Sequence, residues 1–135
     1  MNNSTSNQKD DNKHILVVDD FIDNTLVIGT ILELEGYQVD VADNGYTAIS
    51  KIEANPPIMV ILDLMMPELD GIEVAQWIRK NQPSVLILLF TAHDQVPVSE
   101  EYKPWVDAFI RKPVNVEDFL KLVRGLLPKE ALKKN

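Results

Sequence analysis

Five short apolar runs punctuate the chain: His14-Ile-Leu-Val-Val18, Gln38-Val-Asp-Val-Ala42, Ile58-Met-Val-Ile-Leu62, Val85-Leu-Ile-Leu-Leu-Phe90 and the weaker Ala108-Phe-Ile-Arg111. Three of the five are nearly continuous in apolar residues. Strands buried on both faces of a parallel sheet have this pattern. The segments between them carry helical spacing. Ile22, Leu26, Gly29 and Leu32 lie three or four apart, and Gly36 stops that helix. Ala48, Ile49 and Ile52 mark a second helix closed by Asn55-Pro56-Pro57, and Ile72, Ala75 and Ile78 a third closed by Asn81-Gln82-Pro83. Phe119, Leu122, Val123 and Leu126 form the stripe of the last helix, with Asn115 and Asp118 close to a capping-box pattern at its start. Strand–helix alternation at this spacing predicts right-handed βαβ units and one parallel sheet.

The polar residues fall where that alternation makes them informative. Asp19 and Asp20 directly follow the first run, Asp63 the third, Thr91 the fourth and Lys112 the fifth. In a parallel sheet these positions share the carboxyl edge, where open α/β sheets bind ligands. Two carboxylates about 4 Å apart repel by ~4 kcal/mol at an effective dielectric near 20. One lysine cannot neutralise the carboxylates of Asp19, Asp20 and Asp63, so either a cation binds or some of them take up protons. All-oxygen ligands favour a hard cation, Mg2+ or Ca2+, and so few protein ligands suit Mg2+, which keeps waters and accepts phosphate oxygens. An acidic metal pocket beside a Thr donor and a Lys cation suits a phosphoryl group, and a carboxylate there can act as nucleophile.

Composition narrows the setting. At 135 residues the chain has the length of one domain, and with no cysteine it has neither disulfides nor thiolate metal sites. A formal net charge of -8 argues against direct nucleic-acid or anionic-membrane binding, which need a basic face. No apolar run approaches a membrane span, and the polar start lacks a signal core, so a cytoplasmic location is expected. Residues 1–12 have the composition of a disordered polar tail, 13–127 of the folded domain, and the Lys-rich stretch 128–135 of a tail or an extension of the last helix.

Each polar residue has an ordinary reading by itself: Asp19-Asp20 as a turn or N-cap, Asp63 as a loop carboxylate, Lys112-Pro113 as a common strand end. Their joint placement on one rim is what carries the functional reading. The motifs Ile15-Leu-Val-Val-Asp19-Asp20, Ile61-Leu-Asp63-Leu-Met-Met-Pro67, Asp70-Gly71, Thr91-Ala92 and Lys112-Pro113 together resemble the response-regulator receiver family over about Lys13 to Leu127.

The resemblance implies a flavodoxin-like, doubly wound α/β fold with a five-stranded parallel sheet in the order 2-1-3-4-5 and flanking helices. It implies a phosphorelay function in which Asp63 accepts a phosphoryl group from a phosphohistidine of a histidine kinase or histidine phosphotransfer protein, with Mg2+ as cofactor. Asp20 would be a direct Mg2+ ligand, Asp19 a water-mediated one, and the backbone carbonyl of Met65 another beside Asp63. Lys112 would pair with the phosphoryl oxygens and Thr91 would hydrogen-bond one of them. Pro113 would follow a cis peptide bond. Phe109 occupies the aromatic switch position and would turn inward as Thr91 moves toward the phosphoryl group. Met65 and His93 flank the approach of a hydrolytic water, and the apolar Met65 implies slow loss of phosphate. Such a protein is not an enzyme beyond its own phosphoryl transfer and slow autodephosphorylation.

Two departures from the family pattern stand out. Pro97 and Pro104 fall between His93 and Val106, so the fourth helix should be short or irregular. Trp105-Val106 stands before the last strand, where Gly-Ala is common in the family; Trp105 is open to two readings, a partner anchor or local packing under the loop. In the family the face built by helix 4, strand 5 and helix 5 binds effectors or mediates homodimers. Two other functions compete. A haloacid-dehalogenase-like phosphatase also uses a nucleophilic Asp, Mg2+, a Thr and a Lys, but places a second Asp two residues after the nucleophile, where this chain has Met65, which cannot transfer protons. A phosphorylation-independent pseudo-receiver would lack Asp63, Lys112 or part of the acidic pair, and all are present.

Overall fold

A computed structural model describes residues 13–92 and 103–131. The expected N-terminal tail 1–12, the last residues 132–135, and most of the expected fourth helix, with Pro97 and the water-flanking His93, lie outside the described residues. The strands are β1 (Ile15–Val18), β2 (Val39–Ala42), β3 (Met59–Asp63), β4 (Leu86–Thr91) and β5 (Ala108–Arg111), and the helices are α1 (Ile22–Leu34), α2 (Gly45–Ala54), α3 (Gly71–Asn81) and α4 (Val116–Leu126). The strands form one parallel sheet in the order β2-β1-β3-β4-β5. The parallel sheet expected from the alternation, and the doubly wound five-stranded order implied by the family resemblance, are those the chain adopts.

Each strand is placed by the same logic that makes it apolar. β1 and β3 are buried along their whole length, because both sheet faces are covered. On one face α2 and α3 bury Ala48, Ile52, Val74, Ala75 and Ile78 against Leu16, Val60, Leu62, Ile87 and Leu89. On the other, α1 and α4 bury Leu32, Phe119, Leu120 and Val123 against Ile15, Val17, Ile61, Leu88 and Phe90. Trp105 packs against the first cluster, which favours its local-packing reading.

The helix ends follow the signals in the chain. Asn44, Asp70 and Asn115 cap α2, α3 and α4, each accepting a bond from the amide three residues on. At Asp70 the box is reciprocal: Glu73 accepts from the Asp70 amide at 2.9 Å. Gly36, with φ 105°, ends the turn after α1 in the left-handed region. Past α4 the chain makes a 3-10 turn, Lys129–Ala131, and tucks Ala131 into the second cluster.

One expectation about α1 changes. Leu26 and Ile22 belong to the apolar spacing, yet they are exposed, and the buried residues are Thr25, Gly29 and Leu32. Asp23, Asn24, Thr25, Thr30 and Glu33 are scattered around the helix among its apolar residues, so spacing alone could not choose the face. Close packing decided it: a Cβ on Gly29 would already lie 3.3 Å from the Val39 side chain, so the small residue marks the side that meets the sheet. Phe21, Ile22, Leu26, Val27 and Leu34 are left facing out.

Candidate functional site

The sheet register builds the site. Val18 stands opposite Leu62, so Asp19 follows β1 beside Asp63, and Asp63 in turn stands opposite Phe90, one residue before Thr91. Thr91 stands opposite Arg111, one residue before Lys112. The rim residues picked from the chain are thus brought together by pairing alone. Carboxylate oxygens of Asp19, Asp20 and Asp63 lie within 4.8 Å of one another. Lys112 Nζ lies 3.0 Å from Asp63 Oδ1 and 3.4 Å from Asp19 Oδ2. Asp19 and Asp63 are buried, whereas Asp20 is exposed and faces solvent at the mouth.

Local bonds orient each group. Asp19 Oδ1 accepts from the Phe21 amide at 3.0 Å and Oδ2 from the Asn24 side chain at 3.1 Å, so the carboxylate is steered by the first turn of α1. Beyond Asp63, the Leu64 amide donates to the Phe90 carbonyl at 2.9 Å, prolonging the ladder past the strand end. The Gly71 amide then donates to the Leu64 carbonyl at 2.9 Å, which folds the loop back under Asp63. A Cβ on Gly71 would be driven into the Asp63 carbonyl, so only glycine fits at this first residue of α3. Lys112 is fixed from the backbone, its amide donating to the Thr91 carbonyl at 2.8 Å, and the Lys112–Pro113 peptide bond is cis.

The electrostatics of the pocket are those of a net anion. Burial pushes the Asp63 carboxyl above the usual carboxylate range, and the neighbouring Asp19 and Asp20 push the same way against the relief from Lys112. Burial alone would lower the Lys112 ammonium, but the Asp63 and Asp19 carboxylates together outweigh it and hold it above its ordinary value. Burial is the main cause at Asp63 and the paired carboxylates at Lys112, and the pocket holds more carboxylates than cations. A divalent ion removes that excess.

Thr91 completes the set differently. It is fully buried, and its Oγ1 has no hydrogen-bond partner among the described residues. A buried hydroxyl left without a partner costs about 1–3 kcal/mol. Phe109, half-buried, packs against the α2/α3 cluster. Met65 is 59% exposed directly beyond the Asp63 loop, whereas Met66 is buried.

Three features were not read from the chain: the tight fit of Gly71, the hold of Asn24 on Asp19, and the ring of Phe90 beneath Lys112. Nothing in spacing reveals the last two. The first had a signal in the Asp70-Gly71 pair, where a cap residue is followed by a helix start without a side chain.

The comparisons agree with this geometry. The sequence model of the response regulator receiver domain matches residues 15–124. The transcriptional regulatory protein CpxR homolog of Haemophilus influenzae is 32% identical over 121 residues, covering 90% of this chain and 53% of that protein. The transcriptional regulatory protein ResD of Bacillus subtilis is 37% identical over 114 residues, covering 84% of this chain and 47% of that protein. The chain thus spans about half the length of these relatives. Among solved structures, the response regulator protein TrrA of Thermotoga maritima, in complex with Mg(2+)-BeF, superposes with a TM-score of 0.78 at 35% identity, over 84% of this chain and 98% of that one. With five parallel strands in the order 2-1-3-4-5 and an acidic cluster at their carboxyl edge, this chain belongs to the response regulator receiver domain family of two-component systems.

Proposed function

We propose that residues 13–127 are a phosphoacceptor receiver that takes a phosphoryl group from a phosphohistidine of a histidine kinase or phosphotransfer protein onto Asp63. The observation that carries this reading is the Lys112 ammonium, held between Asp63 and Asp19 at 3.0 and 3.4 Å in a pocket of clustered carboxylates. An Asp63 oxygen attacks phosphorus, the P–O bond of an acyl phosphate forms as the P–N bond breaks, and the imidazole leaves with its electron pair. Lys112 takes the negative charge of the arriving oxygens, and Thr91 Oγ1 donates to one of them. Mg2+ fits the clustered carboxylates: Asp20, Asp63 and the Met65 carbonyl would hold it, with Asp19 acting through a water, and it would supply positive charge to the transfer. Phe109 fills the space that Thr91 vacates, which changes the β5 surface seen by an effector or a second copy. The exposed apolar residues Phe21, Ile22, Leu26 and Val27 flank Asp19 and Asn24 and offer a partner surface beside the acceptor.

Among the described residues no helix is long and apolar enough to cross a membrane, in keeping with the cytoplasmic location we assign. The deciding experiment is incubation with a small acyl phosphate donor, with and without Mg2+, read by intact mass. One phosphate per chain, dependent on Mg2+ and absent from Asp63→Asn, is expected. Repeated turnover of a phosphate ester would instead favour a phosphatase, and no labelling at all a pseudo-receiver.

A further inference from the structure

Lys112 has a partner that is not a carboxylate. Its Nζ stands 5.9 Å from the centroid of the Phe90 ring, within the range at which an ammonium is attracted to an aromatic face. Phe90 is itself immobilised. It is only 4% exposed, and its ring meets that of the fully buried Phe119 of α4 edge-on, with centroids 5.7 Å apart and planes at 64°. The ring also lines an apolar groove of about 300 Å³ between α1 and the segment after β5, shared with Val27, Ile28, Pro113 and Val114, with Lys112 and Asp19 at its rim.

The chemistry of the pocket gives that ring a task. The ammonium is shared between Asp63 and Asp19. Once a divalent ion occupies those carboxylates, their pull on Lys112 is divided. Among the described residues, the other group that this long, 29% exposed side chain meets before a phosphoryl group arrives is the Phe90 ring. The Phe90 face neither titrates nor competes for the metal. Because Phe90 and Thr91 are consecutive on β4, one strand places the lysine's support on one sheet face and the hydroxyl on the other.

We propose that Phe90 is a positioning residue for phosphoryl transfer, its ring holding the Lys112 ammonium toward Asp63 while metal engages the carboxylates. This rests on the receiver reading above. The test compares wild type with Phe90→Leu, Phe90→Tyr and 3,4,5-trifluorophenylalanine at position 90, which keeps the shape and removes the negative face. The maximal labelling rate from a small acyl phosphate at saturating Mg2+ should fall about two- to five-fold in the Leu and trifluoro proteins and recover with Tyr. Mg2+ affinity should not change. A trifluoro protein as fast as wild type would show that the ring only fills space and would overturn the proposal. A second readout does not need phosphorylation: the ε-methylene resonances of Lys112 with Mg2+ bound should be displaced upfield by the ring in wild type and return in Phe90→Leu. Identical shifts in the two proteins would sink the positioning role, whereas displaced shifts without any labelling would indict the receiver reading instead.

Discussion

The Lys112 amide donates to the Thr91 carbonyl at 2.8 Å, yet the hydroxyl of the same threonine, fully buried, has no partner among the described residues. One backbone bond therefore ties the ammonium to the hydroxyl while leaving the hydroxyl unsatisfied. Replacing it with a methyl group of similar shape removes a cost rather than an interaction. Thr91→Val should raise stability by about 1 kcal/mol, read as a higher urea midpoint at constant slope. The same protein should label on Asp63 but lose phosphorylation-dependent partner binding. A lowered midpoint would mean that the hydroxyl is already bonded.

Asp63 contributes a pH dependence to the stability of the metal-free protein between acid and neutral pH. Its carboxyl is raised by burial and by Asp19 and Asp20, so the folded state binds its proton more tightly than the unfolded chain does. The contribution to stability is then full below the unfolded value, near 3.8, and is lost as pH rises through the higher folded value. At neutral pH the ionised Asp63 is a burden, and Asp63→Asn should melt higher than wild type without Mg2+. The gap should close toward acid pH. Saturating wild type with Mg2+ at 100 times its Kd should add about 2.7 kcal/mol, and the Asn protein should gain less. Equal melting of the two proteins at neutral pH, metal-free, would contradict this.

Gly71 sits where a side chain would enter the Asp63 carbonyl and approach the Leu64 Cα to 3.0 Å, both of them backbone atoms that cannot swing aside. Gly71→Ala should cost about 1–3 kcal/mol by overpacking and should slow Asp63 labelling, because the loop under the acceptor must shift. Thermal melting and the labelling rate check the two effects separately; an alanine protein unchanged in both would mean that the loop yields freely.

Met65, largely exposed beside the acceptor loop, offers an approaching water no hydrogen bond. Met65→Asn supplies one and should shorten the acyl-phosphate lifetime, on the order of the ten-fold that 1.4 kcal/mol corresponds to. The decay of the phosphorylated mass after donor removal measures it, and equal lifetimes would remove the water-positioning idea.

Phe109 packs half-buried against the α2/α3 cluster, on the strand next to Thr91. Phe109→Ala should leave the labelling rate near wild type and weaken the difference in partner affinity between the phosphorylated and unphosphorylated forms. Titration of both forms against a phosphorylation-dependent partner reads that difference. Its persistence at full size would remove Phe109 from the switch.

The chain alone determined the strands, the parallel sheet and the rim residues, because two-faced burial writes itself as unbroken apolar runs and strand ends then index the carboxyl edge. Asp19, Asp63, Thr91 and Lys112 could be placed together by counting from those ends. The resemblance, rather than the counting, supplied the strand order. Tertiary structure alone decided which side of α1 meets the sheet, since polar and apolar residues are scattered around that helix and leave no clear stripe to choose with, and the small Gly29 lies where the helix meets Val39. It also decided that Phe90 lies under Lys112, although the two are 22 positions apart in the chain and nothing in their spacing relates them. Such contacts depend on side-chain directions across neighbouring strands, and these exist only once the register is formed.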